Sequence, residues 1–91
     1  MKNFNNKVAA ITGAGSGIGQ QLAILLAHQG CHLSLSDINA QGLARTTELL
    51  SNCPVKVTTQ VLDVSNREAV KNWAAATVKD HGSVNLIFNN A

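Results

Sequence analysis

Four glycines within eight residues are the feature of this chain best suited to chemistry, because residues 12–19 read TGAGSGIG. A short apolar run at 8–11 precedes them, and a helical pattern begins near residue 18. A glycine-rich turn between a strand and a helix brings backbone N–H groups and the positive end of the helix close to a phosphate. The residues predicted to form this cradle are Gly13, Ser16, Gly17, Ile18 and Gly19. A plain turn, with Ser16 contacting no ligand, is the alternative.

An acidic residue follows the next apolar run at the distance that a dinucleotide requires. Asp37 comes directly after residues 31–36, about 20 residues beyond the glycines. A carboxylate at the tip of the second strand accepts hydrogen bonds from the hydroxyls of an adenosine ribose, whereas it repels a 2′-phosphate. Asp37 therefore favours NAD over NADP. Capping the helix that follows is its alternative role.

With these features in place, the chain resembles the N-terminal part of a short-chain dehydrogenase/reductase. Three motifs carry the resemblance, in the family's order and spacing, and they span nearly the whole chain. The first is T-G-x-x-x-G-x-G, matched at residues 12–19. The second is an Asp followed by an apolar residue after the third strand, matched at residues 63–64. The third is N-N-A-G after the fourth strand, matched at residues 89–91 as far as the chain extends.

The resemblance implies roles for the second and third motifs. Asp63 would accept a hydrogen bond from the exocyclic amine of adenine, with Val64 packed near the ring. Asn90 and Ala91 would lie against a ribose of the cofactor. Considered without the family, Asp63 has an alternative role as a cap two residues ahead of Ser65.

The resemblance also bears on the choice of cofactor. Relatives that prefer NADP usually carry a basic residue in the glycine loop or just after the second strand. The corresponding positions here, none of them basic, are Ala14, Ser16, Ile38 and Asn39. Together with Asp37, these residues predict NAD as the preferred cofactor.

The catalytic machinery of the family is not expected in this chain. The family transfers a hydride between a nicotinamide and an alcohol or carbonyl, with a Tyr as acid/base and a Lys that lowers its pKa. The catalytic Ser and the Tyr-x-x-x-Lys lie beyond the fourth strand, and this chain contains no Tyr. We therefore expect no catalytic residue here and no turnover by the chain alone. A non-catalytic nucleotide-binding or oligomerisation module is the alternative function.

Two other nucleotide-binding classes fit the glycine loop less well. Methyltransferases that bind S-adenosylmethionine usually carry an acid just before their glycines, where this chain has Thr12. They also give no role to the N-N-A sequence. A nucleoside-triphosphate P-loop requires a Lys after its last glycine, and no Lys follows Gly19.

Strand and helix patterns alternate along the chain, which predicts a parallel α/β sheet. The predicted strands cover about 7–12, 31–36, 55–62 and 84–89. The first predicted helix covers about 18–29, the second follows an N-cap at Asn39 and runs to Leu50, and the third opens at Ser65 and ends at Gly82. The crossover rule then gives a three-layer α/β/α Rossmann-type fold with strand order 3-2-1-4. Residues 1–91 would be its N-terminal dinucleotide-binding part, without the catalytic half.

Local signals predict the ends and the inner faces of the helices. Gly30 is predicted to end the first helix, and residues 65–68 form an S-x-x-E capping box at the start of the third. The apolar residues predicted to face the core are Ile18, Leu22, Leu25 and Leu26, then Leu43, Leu49 and Leu50, then Val70, Trp73, Ala74 and Val78. Asn89 is expected to tie neighbouring strands through its amide. Asn85 replaces an acid of the family, and we expect it to affect local turns only.

Composition excludes several classes of function. The net charge is +2 without a cluster of Lys or Arg, so no nucleic-acid partner is expected. No apolar run approaches membrane length and no signal segment opens the chain, so no membrane partner is expected. Cys31 and Cys53 are expected to be free thiols, which predicts a cytoplasmic location. The three histidines lack the spacing of metal ligands and are expected to be solvated or to cap helices.

The fourth predicted strand favours self-association. Residues 86–88 are apolar on both faces and lie close to the end of the chain. A strand of this kind would form a flat apolar edge with no Lys or Pro to protect it. We expect a homo-oligomer that forms through the fourth strands or through bared faces of the sheet.

Overall fold

The computed structural model describes residues 4–90, in which strands and helices alternate. The elements are β1 (Val8–Ile11), α1 (Gly17–His28), β2 (His32–Asp37), α2 (Ala40–Leu49), β3 (Val57–Val61), α3 (Arg67–His81) and β4 (Leu86–Phe88). The strands form one parallel sheet in the order β3-β2-β1-β4. This is the predicted strand order. Helices α1 and α2 cover one face of the sheet and α3 packs on the other, so the predicted three-layer fold is also confirmed.

The central strand β1 is buried along its whole length. Its side chains alternate between the two faces of the sheet. Ala9 and Ile11 belong to the larger core under α1 and α2, whereas Ala10 packs under α3 with Leu62 and Trp73. Helices on both faces explain why a strand with no polar residue is stable here.

The register of the sheet brings the carboxyl ends of the strands to one edge. Ile11 of β1 pairs with Leu35 of β2 and with Phe88 of β4. On the other side of β2, Asp37 pairs with Val61 at the end of β3. The segments that follow the strands are therefore neighbours, which is the arrangement that ligand sites in open α/β sheets use.

The predicted inner face of α1 is half correct. Leu26 is buried and Leu22 packs against the core, but Ile18 and Leu25 are 76% and 63% exposed. The buried positions include Ala23 instead. Small residues let α1 lie close to the sheet, and Ile18 and Leu25 are left on its exposed side.

The inner faces of α2 and α3 also differ from the prediction. Leu43 and Leu50 are buried as expected, but Leu49 is 54% exposed. On α3, Trp73 is buried and Val70 packs beside it, whereas Ala74 and Val78 are exposed. Thr77 takes the inner position, because its hydroxyl lies 2.6 Å from the hydroxyl of Ser34 on β2. A pattern of apolar residues could not reveal this polar pair.

The N-cap of α3 is Asn66, so the predicted capping box at residues 65–68 is wrong. The side chain of Asn66 accepts the N–H of Ala69 at 3.1 Å. Ser65 is unavailable as a cap because its N–H and its hydroxyl both donate to Asp63. The other predicted signals are confirmed: Asn39 caps α2, and the left-handed Gly82 ends α3.

Asn85 does more than shape a local turn, contrary to the prediction. Its side-chain oxygen accepts the N–H of Val8 at 2.8 Å, and its own N–H donates to the carbonyl of Val8 at 2.8 Å. These two bonds fasten the start of β4 to the start of β1. The side-chain amide oxygen of Asn85 accepts the backbone N–H of Val8 in the way that a main-chain carbonyl of a neighbouring strand would.

His32 and His81 join secondary-structure elements, so the expectation that they are solvated or cap helices is wrong for these two. Nδ1 of His32 accepts the N–H of Lys56, and Nε2 of His81 lies 2.9 Å from the hydroxyl of Thr58 on β3. Burial lowers the pKa of His81, and the charges of Lys56 and His32 lower it further. His28, in the last turn of α1, is exposed as expected.

Within residues 4–90, every helix is too short or too polar to span a lipid bilayer. No three side chains of His, Cys, Asp or Glu in this range form a group that could hold a metal ion. Cys31 is buried and Cys53 is partly buried, and both are free thiols. Burial raises the pKa of the Cys31 thiol, which keeps it protonated.

We predict that His81 makes the fold sensitive to mild acid. The pKa of His81 is lowered in the folded chain, whereas in the unfolded chain it is close to the usual value of 6.5. The unfolded chain therefore binds a proton more readily as the pH falls below about 6.5. The stability that neutral His81 contributes is therefore complete above this pH and is lost as the pH falls through the lowered pKa. Urea unfolding at pH 7.5, 6.5 and 5.5 measures the loss.

The matched variants for this experiment are His81→Gln and His28→Gln. Glutamine at 81 keeps a hydrogen-bonding side chain but does not titrate, so the free energy of unfolding should depend less on pH than in the unchanged chain. His28→Gln should keep the full dependence because His28 is exposed. Equal pH dependence of all three proteins would contradict the prediction.

Candidate functional site

The loop between β1 and α1 leaves the first turn of the helix open to a ligand. Ser16 is the N-cap of α1 in extended conformation, and its side chain makes no capping hydrogen bond. The first turn of α1 contains no acidic residue. Beside Gly17, which has a φ of +56°, an added Cβ would meet nothing within 4 Å. The N–H groups at the start of α1 therefore have no capping side chain, and the space beside Gly17 is open, as a phosphate site requires.

Gly19 closes this loop against its own beginning. A Cβ at this position would lie 2.1 Å from the carbonyl oxygen of Gly13, a distance that no side chain can adopt. Only glycine therefore allows the first turn of α1 to pack on the loop. The contact determines where the open N–H groups point.

Three hydrogen bonds hold the loop against β2 and α2. The N–H of Ala14 donates to the carbonyl of Ser36 at 3.0 Å. The next N–H, of Gly15, donates to Oδ2 of Asp37 at 2.8 Å. From the other side, the hydroxyl of Thr46 on α2 donates to the carbonyl of Ala14 at 2.8 Å. The loop is thus held by backbone and side-chain groups of two neighbouring elements.

Asp37 lies at the end of β2 and uses both carboxylate oxygens. Oδ2 accepts the N–H of Gly15, and Oδ1 accepts the N–H of Asn39 at 3.0 Å. The N-cap of α2 is Asn39, whose side chain accepts the N–H of Gly42. Asp37 therefore supports the helix entry without being the cap. Its side chain is partly exposed, and each oxygen retains capacity to accept a further hydrogen bond.

Asp63 and Val64 follow β3 at the next position along the same edge. The N–H of Leu62 donates to the carbonyl of Asp37, which places the two segments side by side. Asp63 is exposed, and its Oδ1 accepts the N–H and the hydroxyl of Ser65. These two bonds hold the pKa of the Asp63 carboxyl below its usual value. The residue thus stabilises the turn before α3 and keeps Oδ2 for another donor.

The end of β4 is tied to the end of β1 through Thr12. Its hydroxyl donates to Oδ1 of Asn89 and accepts the N–H of Asn90, both at 2.9 Å. The predicted role of Asn89 in joining strands is therefore confirmed. Asn90 packs beside Gly13, where an added Cβ would lie 3.3 Å from the Asn90 Cβ. The predicted contact of Ala91 lies outside the described residues.

The arrangement along this edge is suited to binding. Hydrogen-bond donors are concentrated at the start of α1, and acceptors are concentrated at Asp37 and Asp63. A ligand with a phosphate, hydroxyl groups and an amine in that order matches this distribution. The site residues at the strand ends were predicted from the sequence, and the structure brings them to one edge.

Three residues that fix the loop in place, one in the loop and two on α2, were not predicted from the sequence as site residues. Gly15 and Gly42 lie in backbone contact, and Thr46 bonds both the loop and the amide of Gln20 on α1. One signal was present in the sequence: Gly42 falls inside a predicted helix, where glycine costs about 1 kcal/mol relative to alanine. A glycine in this position suggests close approach of another backbone.

Comparison with known proteins identifies the family. Residues 7–91 match the family model described as short chain dehydrogenase. The chain is 46% identical over 91 residues to the candidate oxidoreductase SadH of Mycobacterium tuberculosis, which covers all of this chain and 33% of that protein. It is 40% identical over 88 residues to cyclohexanol dehydrogenase of an Acinetobacter species, covering 97% of this chain and 35% of that enzyme. The chain thus spans about a third of the length of these relatives.

Solved structures of the family superimpose closely. A short-chain dehydrogenase/reductase from Burkholderia phymatum in complex with NAD has a TM-score of 0.94 at 43% identity, covering all of this chain and 32% of that one. NAD⁺-bound xylitol dehydrogenase has a TM-score of 0.94 at 37% identity, covering 99% of this chain and 35% of that one. These similarities extend over every element of the fold.

We predict that the hydroxyl of Thr12 stabilises the junction of β1 and β4. Thr12→Val keeps the shape but removes the group that bonds Asn89 and Asn90, and Thr12 is only 6% exposed. Because Asn89 and Asn90 are exposed and can bond water instead, the loss should lower the free energy of unfolding by about 0.5–1.5 kcal/mol. Thr12→Ser keeps the hydroxyl and is the control. Equal stability of the two variants in urea unfolding would show that the bonds contribute nothing.

Proposed function

This chain belongs to the short-chain dehydrogenase family, and on that premise we propose that residues 1–91 form the NAD(H)-binding part of an oxidoreductase. The observation that carries the proposal is the glycine loop itself. Its inward-facing groups are bonded to β2 and α2, whereas the N–H groups at the start of α1 are left without a side-chain cap or an acid. A dinucleotide supplies the missing negative charge.

The loop residues fit the pyrophosphate of such a cofactor. The space beside Gly17 is open, and the contact of Gly19 with Gly13 directs the helix start toward it. The hydroxyl of Ser16 is exposed and has no capping role, so it serves as a further donor. Ile18 is 76% exposed beside these groups, where it would contact the cofactor.

Asp37 is proposed to accept hydrogen bonds from the adenosine ribose and to exclude a 2′-phosphate. Its carboxylate is held in place by two backbone N–H groups and cannot turn away from a phosphate without losing them. The neighbouring Ile38 and Asn39 carry no charge to offset the repulsion. The NAD-bound structures among the relatives support a nicotinamide dinucleotide as the cofactor.

The adenine and the second ribose are proposed to lie against the ends of β3 and β4. Asp63 keeps one carboxylate oxygen for the adenine amine, and Val64 is 38% exposed next to it. Asn90, positioned by Thr12, would contact a ribose together with Ala91. These contacts bind and orient the cofactor without taking part in a bond-breaking step.

The bound nicotinamide would supply the hydride donor or acceptor for interconversion of an alcohol and a carbonyl. The residues of this chain bind the cofactor, and no residue of it is proposed to exchange a proton with the substrate. We propose that the 91-residue chain alone does not catalyse this hydride transfer, since it contains no Tyr to act as acid/base. A cytoplasmic location accords with its two free thiols.

We also propose that the chain associates with copies of itself through β4. This strand pairs with β1 alone among the described strands, and Ile87 on it is 75% exposed. Three apolar residues at a sheet edge favour pairing with another strand. Pairing of two β4 strands about a two-fold axis would close the edge.

Titration with NAD and NADP tests the cofactor assignment. The unchanged chain should bind NAD more tightly than NADP. Replacing Asp37 with Ala and Ile38 with Arg should reverse the preference, because a charge-assisted bond to a 2′-phosphate replaces a repulsion. Ile38 is 66% exposed, so an arginine fits there. Tighter binding of NADP by the unchanged chain would contradict the assignment.

Light scattering or sedimentation at micromolar concentration tests the association. The unchanged chain should have a mass of at least two copies. Ile87→Lys places a charge on the exposed edge and should shift the mass toward one copy. Val78→Lys is the control, since Val78 is 51% exposed on α3 and not on a strand at the edge of the sheet. A monomeric unchanged chain would exclude the proposed pairing.

A further inference from the structure

Gly15 links the glycine loop to Asp37, the residue proposed to bind the adenosine ribose. It is buried, and its N–H donates to Oδ2 of Asp37 at 2.8 Å. The other carboxylate oxygen accepts the N–H of Asn39 on the opposite side. The carboxylate is thus held from two directions, once by the loop and once by the turn before α2.

Glycine is needed at position 15 because a side chain would have no room there, and not because of its backbone conformation. Gly13 and Gly17 have positive φ values, whereas Gly15 does not, so its backbone conformation suits any residue. A Cβ here would lie 2.8 Å from Oδ2 of Asp37 and 3.0 Å from the carbonyl carbon of Gly42. Alanine would therefore displace the carboxylate or the helix behind it.

Gly42 provides the other half of this contact. A Cβ on Gly42 would lie 2.7 Å from the carbonyl oxygen of Gly15. One turn later on α2, Thr46 donates to the carbonyl of Ala14 and accepts a bond from Gln20. Helix α2 thus presents bare backbone at Gly42 and, one turn later, the hydroxyl of Thr46 to the loop. With α2 fixed in this way, a larger residue at position 15 would have to move Asp37.

We infer that Gly15, supported by Gly42, is a positioning residue for cofactor choice: it holds the Asp37 carboxylate where a 2′-phosphate would otherwise fit. The inference rests on the proposed function, in which Asp37 faces the adenosine ribose. A side chain at position 15 displaces the carboxylate and removes its bond to the loop. Binding of NAD then weakens, and NADP is no longer excluded to the same degree.

Calorimetric titration of the full chain with NAD and with NADP, each up to millimolar concentration, measures this effect. The quantity of interest is the ratio of the two dissociation constants. Gly15→Ala should reduce the preference for NAD about tenfold, the effect of losing one charge-assisted hydrogen bond. In the background of Asp37→Asn, which removes the charge and nearly keeps the shape, Gly15→Ala should leave the ratio unchanged.

A control separates cofactor choice from general loss of stability. Gly82→Ala also strains the chain, because Gly82 has a φ of +85°, but it lies at the end of α3 with nothing within 4 Å of an added Cβ. It should lower the free energy of unfolding and leave the ratio of dissociation constants unchanged. A purely structural role of Gly15 would give the same result as Gly82→Ala.

Two further measurements apply even if Gly15→Ala does not fold. Gly42→Ala approaches the same contact from α2 and should reduce the preference in the same direction. In the otherwise unchanged chain, Asp37→Asn should shift the amide proton resonance of Gly15 upfield in a two-dimensional NMR spectrum, because its charged acceptor is lost. An unmoved resonance would overturn the inference.

The outcomes distinguish this inference from the proposed function. If Asp37→Asn changes the ratio and Gly15→Ala and Gly42→Ala do not, the inference is wrong and Asp37 still selects the cofactor. If Asp37→Asn leaves the ratio unchanged, or the unchanged chain binds neither nucleotide, the proposed function fails and the inference fails with it.

Discussion

The turn from β1 into α1 leaves no room for side chains at its contacts, and the rest of the site depends on this constraint. The carbonyl of Gly13 lies against Gly19, and the carbonyl of Gly15 lies against Gly42. Backbone groups in direct contact have no rotamers through which to relax. The loop is therefore fixed relative to the sheet and to α2. Because it is fixed, the N–H groups at the start of α1 point at one place outside the sheet.

The donors and acceptors of the loop form two sets, those that the protein itself bonds and those that it leaves without a partner. Ser36, Asp37 and Thr46 bond the groups of Ala14 and Gly15 that face inward. The outward N–H groups of α1 have neither a capping side chain nor an acid in the first turn. A protein that only needed a turn here would gain stability from a cap. The open helix start therefore supports the proposed binding of a negatively charged ligand at this position.

The two faces of the sheet are held in different ways. Under α1 and α2 the core is apolar and continuous from β1 to β2. Under α3 it is small, and polar pairs join Thr77 to Ser34 and His81 to Thr58. The site residues supplied by β1 and β2 therefore rest on the stronger face. Asp63 follows the edge strand β3, where the chain is more exposed and the carboxylate depends on Ser65 for its position.

The sequence alone determined the order of the elements, the glycine loop and the residues at the strand ends. Alternating patterns and short crossovers allow few topologies, and glycine spacing directly reflects what a backbone turn permits. The tertiary structure decided contacts that depend on distance between elements. Thr77 faces inward because Ser34 lies opposite it, and Asn66 caps α3 because Asp63 engages Ser65. The role of Gly15 became visible only when α2 was placed against the loop, since the space around a residue is a property of its neighbours and not of its own type.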